Sequence, residues 1–109
     1  MTWLHWLPGR QQTGYEKLLL ATWPERFDLY LLRYRKGASI PPHTDPVDGK
    51  RHYRVNVVLR EAKRGGYFTC GAPIFWSRRV KVFRSDVAEH SVTTVEEGER
   101  VVLSLGWVT

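Results

Sequence analysis

Residues 53–60 read YRVNVVLR, a run rich in β-branched and aromatic side chains in which Arg54 and Asn56 fall on one face of an extended chain. Such a run is expected to form a strand. Working outward, similar runs recur: LYLLRYR from Leu29 upstream, then YFT from Tyr67, PIFW from Pro73, VKVF from Val80, HSVTTV from His90 and RVVLSLGWV from Arg100. Turn-forming residues punctuate them at Lys36 to Gly37, Pro41 to Gly49, Gly65 to Gly66, Gly71 to Pro73 and Glu96 to Gly98. Short strands separated by such turns imply an all-β sandwich or barrel, and a double-sheet jelly roll fits best.

The N-terminal quarter reads differently. Thr13 followed by Glu16 has the spacing of a capping box, and Tyr15, Leu18, Leu19 and Thr22 recur at helical intervals before Pro24. One or two helices are therefore expected within residues 1–27, packed outside a β core over residues 28–109, all within a single domain over residues 1–109.

Composition narrows the function classes. At 109 residues the chain suits one domain with a real core, and an apolar fraction of 42% with five Trp argues against disorder. No apolar run approaches the roughly 20 residues of a membrane span, and the start MTWLHWLPGR lacks the parts of a signal peptide. No membrane partner is expected. A lone cysteine, Cys70, cannot form an internal disulfide, which fits a reducing compartment and makes the cytoplasm the expected location. The net charge of +6 and pI near 9.8 favour an acidic partner: nucleic acid, an anionic cosubstrate or an acidic protein. The basic clusters at Arg33 to Lys36, Lys50 to Arg54 and Arg78 to Lys81 are dispersed, as on a solvated face, so nucleic-acid binding should be weak and non-specific.

Four residues carry the chemistry. His43 and Asp45 stand one residue apart, His90 lies downstream, and Arg100 follows ten residues later. Two imidazoles and a carboxylate hold a ferrous ion on one face of an octahedron and leave the opposite face open. In an extended segment, residues i and i+2 project to the same side, so His43 and Asp45 can reach one metal together while His90 arrives from another strand. Each residue alone has an ordinary reading: PPHTDPVDG is turn-rich, His90 suits a strand, and Arg100 opens one. Their conjunction at neighbouring strand ends is what points to a site.

Taken together, YRKGASIPPHTDP, RHYRVNVVL with the Gly65-Gly66 pair, and EHSVTTVEEGERVVLSLGW resemble the iron- and 2-oxoglutarate-dependent oxygenases, particularly their small prolyl-hydroxylase-like members. The resemblance runs from about Leu29 to Thr109. It implies a double-stranded β-helix with His43, Asp45 and His90 as both metal ligands and catalytic residues. It also implies Fe(II), 2-oxoglutarate and O2 as the reacting partners, with 2-oxoglutarate decarboxylated as a substrate C–H bond is hydroxylated. Arg100 falls where the family pairs a basic residue with the distal carboxylate, a task suited to the guanidinium fork. Tyr34, nine residues before His43, and the same-face pair Arg54 and Asn56 are further cosubstrate contacts; otherwise Tyr34 is a core aromatic and the pair faces solvent. Some subfamilies carry serine two residues after the basic position, where this chain has Val102.

Trp107 and Phe83 are candidate shields of the metal, or else core residues. Arg10, Gln11, Gln12 and Tyr15 are a candidate substrate-facing element, or else a solvated helix entry. The leading substrate is a peptide or protein side chain, with a small molecule or a nucleobase as alternatives. Two other classes remain open. One is a cupin-like metal-binding protein without oxygenase activity, which needs neither 2-oxoglutarate nor Arg100. The other is a basic module whose aromatics stack nucleic-acid bases.

Overall fold

The computed structural model describes residues 6–8, 14–23 and 26–109, and every regular element among them is a strand. The first six are β1 (Leu7–Pro8), β2 (Tyr15–Trp23), β3 (Phe27–Tyr34), β4 (Ile40–His43), β5 (His52–Arg60) and β6 (Arg64–Gly65). The remainder are β7 (Phe68–Cys70), β8 (Pro73–Trp76), β9 (Val80–Arg84), β10 (His90–Val92), β11 (Val95–Glu97) and β12 (Arg100–Val108). A seven-stranded sheet runs β1-β2-β3-β12-β5-β9-β8, facing a three-stranded sheet β4-β10-β7, with β11 and β6 paired as a ribbon. Every pairing is antiparallel. Each run expected to be extended contains a strand, although HSVTTV divides into β10 and the start of β11.

The expected N-terminal helix is not there. Residues Tyr15–Trp23 form β2, in register with β3 from Tyr15 opposite Tyr34 to Trp23 opposite Phe27. Leu18 and Leu19 favour a helix locally, but the ladder of a nine-residue strand against β3 and the Tyr15–Tyr34 ring stack (centroids 5.3 Å apart) are gained only if the segment is extended. A bulge between Leu19 and Ala21 breaks strict alternation, which is why the apolar residues mimic a helical period. Thr13 lies outside the described residues, as do Arg10, Gln11 and Gln12.

The core is small and lies between the sheets: Tyr15, Tyr34, Ala38, Val58, Val92, Val95 and Val102 are buried together, flanked by Leu32, Ile40, Ala62 and Phe68. Along β12, Arg100, Val102, Ser104 and Gly106 point inward in the two-residue rhythm of a strand with one covered face. The turn at Gly65 needs glycine: φ is +75° and a Cβ would run into the Thr94 carbonyl. That turn brings the Gly66 carbonyl onto Arg100. No described helix is long and apolar enough to cross a membrane.

Candidate metal centre and its cavity

Strand pairing alone assembles the centre. β4 and β10 are registered so that His43 lies directly opposite His90, which puts both imidazoles on one face with ring centroids 4.3 Å apart. Asp45 follows His43 by two residues, and its backbone N–H donates to the Ser85 carbonyl at 2.7 Å, tying the loop to the end of β9. Asp45 Oδ2 then lies 3.6 Å from His43 Nε2 and 3.3 Å from His90 Nε2. Ligand atoms of all three residues lie within 4.8 Å of one another, the one such grouping among the described residues.

The far sides of the rings are already committed. His43 Nδ1 donates to the Pro41 carbonyl and His90 Nδ1 to the Ala88 carbonyl, each at 2.8 Å. A carbonyl can only accept, so each neutral ring carries its proton on Nδ1 and turns a bare Nε2 toward Asp45. Octahedral donors about 2.1 Å from a small divalent ion stand about 3 Å apart when adjacent, against 3.3 and 3.6 Å here from Asp45 to the two imidazoles. Two aligned imidazole nitrogens and one carboxylate suit a divalent transition metal, and the residues therefore fit the group the sequence implies.

The cluster opens into a cavity of about 230 Å³ between the sheets. From β5, Arg54 and Asn56 face inward and line it, as do Tyr34 from β3 and Tyr15 from β2. Arg54 Nη1 donates to Ser104 Oγ at 2.7 Å, and its Nη2 donates to Asp28 Oδ1 at 2.9 Å. Ser104 is fully buried and its Oγ donates to Asn56 Oδ1 at 2.6 Å. His52, on the same wall, bonds Ser85 Oγ through Nδ1 at 2.8 Å; burial, then the neighbouring Arg54 charge, push its pKa below the ordinary value. Asp28, His52 and Ser104 were not singled out in the sequence; the inward rhythm of β3, β5 and β12 is the signal that could have found them.

Arg100 is placed differently from the other polar residues. It is buried at the start of β12 directly opposite Tyr34, its guanidinium 5.8 Å from the Tyr34 ring centroid, and it does not itself line the cavity. Nη1 donates to the Gly66 carbonyl at 3.3 Å, while Nε is buried with no hydrogen-bond partner. Burial lowers the Arg100 pKa and raises that of Tyr34, with each group's charge opposing the other's shift.

Of the two expected shields, Phe83 is in place, its ring 4.9 Å from His90, and Phe68 joins it at 6.2 Å. Trp107 is not. Its place on β12 alternates with the inward Gly106, so it projects to the outer face and stacks on Tyr53 at 5.5 Å.

Gly106 makes room for the Arg54 head: a Cβ there would fall 2.7 Å from Arg54 Cζ and 3.0 Å from His52 Nε2. Gly106→Ala should therefore leave the fold in place but swing Arg54 off Ser104 and Asp28, because the obstructed atoms end a flexible side chain. The expected loss is about 2–3 kcal/mol in urea unfolding, for two hydrogen bonds from a charged donor, part of it recovered by solvation of the displaced head. An unchanged midpoint, with Arg54 still on Ser104 in a crystal structure of the variant, would contradict this packing.

No family model matches the sequence, and no curated protein matches it by sequence. Solved structures match the fold. KdgF from Halomonas sp. superposes with a TM-score of 0.60 at 18% identity, over 94% of this chain and 84% of that one. The Cnp3 cupin domain of Schizosaccharomyces pombe gives 0.59 at 10% identity, over 90% of this chain and 67% of that one. The viral collagen prolyl hydroxylase of Paramecium bursaria Chlorella virus-1, solved as its 2OG complex, gives 0.52 at 20% identity, over 75% of this chain and 58% of that one. At these identities the likeness is one of fold, and the fold is the cupin-like jelly roll.

Proposed function

We propose that the protein is a mononuclear iron oxygenase that uses 2-oxoglutarate and O2 to hydroxylate a C–H bond. The observation that carries the reading is the convergence of His43, Asp45 and His90 with both Nδ1 atoms already bonded to carbonyls, at the wall of a cavity lined by inward-facing polar groups. When bound, iron with 2-oxoglutarate and O2 supplies the oxidising power for the C–H bond.

The chain's own residues do the rest. His43, Asp45 and His90 hold the metal and leave its other face open. Tyr34, which lines the cavity, and Arg100 beside it, whose Nε–H is unused, receive the distal carboxylate of 2-oxoglutarate once the Arg100 head turns past Tyr34 into the cavity. Arg54 and Asn56 contact the same molecule from β5. Phe83 and Phe68 keep water from the metal side of the cavity. A reducing cytoplasm suits ferrous iron and the free thiol of Cys70.

A peptide or protein side chain is the proposed substrate, supported by the prolyl-hydroxylase-like motifs. The test is mass spectrometry of peptide and oligonucleotide pools after incubation with iron, 2-oxoglutarate and O2. One added oxygen on peptides is expected; on oligonucleotides alone, it would replace the substrate class with a nucleobase. The +6 charge should give only weak nucleic-acid binding that falls steeply with salt and survives His43→Ala, since counterion release needs no metal. Salt-insensitive binding in a filter assay would contradict that.

One observation favours a second reading. Arg100 contacts Tyr34 rather than lining the cavity, as it would in a cupin-like metal protein that binds no 2-oxoglutarate.

A further inference from the structure

We infer that Ser104 is a positioning residue that fixes which end of the Asn56 amide faces the cavity, and so makes that wall select an oxygen acceptor. The inference rests on the proposed function for the identity of the ligand, and on hydrogen-bond chemistry alone for the orientation.

A guanidinium has only donors, so at 2.7 Å from Arg54 Nη1 the Ser104 oxygen must accept. Its single proton is then directed to its other neighbour, Asn56, 2.6 Å away. That neighbour must present Oδ1, because an Nδ2 there would leave the proton of a serine with no accessible surface without an acceptor. Ser104 has no exposed surface, and Asn56 is 7% exposed. Arg54 is anchored in turn by Asp28 on β3 and by the space at Gly106, so the polarity of the chain is set from one end. Asn56 Nδ2, with two N–H donors, is left toward the cavity it lines.

At the Asn56 position these donors, with Arg54 beside them, favour carboxylate or carbonyl oxygen, while the Asp28 carboxylate on the same wall is held by Arg54. Ser104 touches no ligand in this scheme and acts through Asn56. Two residues after Arg100, where some subfamilies carry serine, this chain has Val102; Ser104, four residues after Arg100, lies on the same inward face but serves another side chain.

The orientation is tested first without ligand or metal. The Asn56 side-chain amide signals are identified in NMR spectra of the whole chain by their disappearance in Asn56→Asp. Both protons should exchange with solvent at similar, unprotected rates; strong protection of one proton would mean that Nδ2 donates to Ser104 and would overturn the inference. The consequence is tested on the zinc-loaded protein, whose signals stay sharp. Both Asn56 protons should shift on adding 2-oxoglutarate.

Ser104→Ala frees the amide to flip and should weaken 2-oxoglutarate about fivefold to tenfold. In turnover the loss should appear in the KM for 2-oxoglutarate with little change in kcat. Asn56→Asp keeps the bond from Ser104, so it folds even if Ser104→Ala does not, and it turns a carboxylate oxygen on the ligand. It should lose more than about tenfold in affinity. Parent-like affinity in a folded Ser104→Ala, or in Asn56→Asp, overturns the positioning role. If the parent binds no 2-oxoglutarate, the proposed cosubstrate falls, and the exchange rates still decide the orientation.

Discussion

Replacing His43, Asp45 or His90 by alanine, one at a time, is expected to abolish 2-oxoglutarate turnover while leaving each variant folded. Three protein ligands are the minimum that fixes one face of the metal, and losing one leaves two donors whose partner group no longer constrains them. The two histidine variants also lose the carbonyl bond that had aligned the ring. Stability should change little for His43 and Asp45, whose side chains are 17% and 20% exposed at the end of β4 and in the loop beyond it. His90 packs on Phe83, so its removal should cost more, up to about 2 kcal/mol. Elemental analysis of metal content, succinate formation and circular dichroism check the three parts together. Parent-like metal content in all three variants would sink the assignment.

Arg100→Ala should weaken 2-oxoglutarate by about 1.5–3 kcal/mol, the span for a hydrogen bond to a charged group, or roughly tenfold to 150-fold, and should scarcely alter metal affinity. The asymmetry is the informative part. A residue at the start of β12, opposite Tyr34, can affect the metal only through the general fold, whereas its unpaired Nε is the kind of buried donor that a carboxylate would satisfy. Arg100→Lys should recover part of the loss, since the charge returns without the fork. Calorimetry under anaerobic conditions measures both affinities. Equal 2-oxoglutarate affinity in parent and Arg100→Ala would favour the metal-binding reading without an oxygenase.

How legible the molecule was in its sequence depended on the range of the forces involved. From Phe27 onward β3, β5, β7, β8, β9, β10 and β12 were readable because β-branched runs between turn residues need only local chemistry, whereas β4, β6 and most of β11 fall in segments that read as turns. The spacing of His43 and Asp45 suggested a shared side, although Asp45 lies in the loop beyond β4. The cross-strand register that sets His43 opposite His90 was not readable, since it depends on which strands pair. β2 misled for the same reason: Leu18 and Leu19 favour a helix until β3 offers a partner. Trp107 was a candidate for the metal side because the phase of β12 was unknown; in that phase Arg100, Val102, Ser104 and Gly106 face inward, and Gly106 leaves space for Arg54. The Arg54–Ser104–Asn56 chain joins residues about fifty positions apart and leaves no local mark.

The most direct test is an anaerobic calorimetric titration of the protein with 2-oxoglutarate, run once with stoichiometric ferrous iron and once with the metal removed by chelation. One 2-oxoglutarate per chain should bind with iron present, with a large loss of affinity without it. No binding in the presence of iron, or the same affinity in both titrations, would contradict the proposed function.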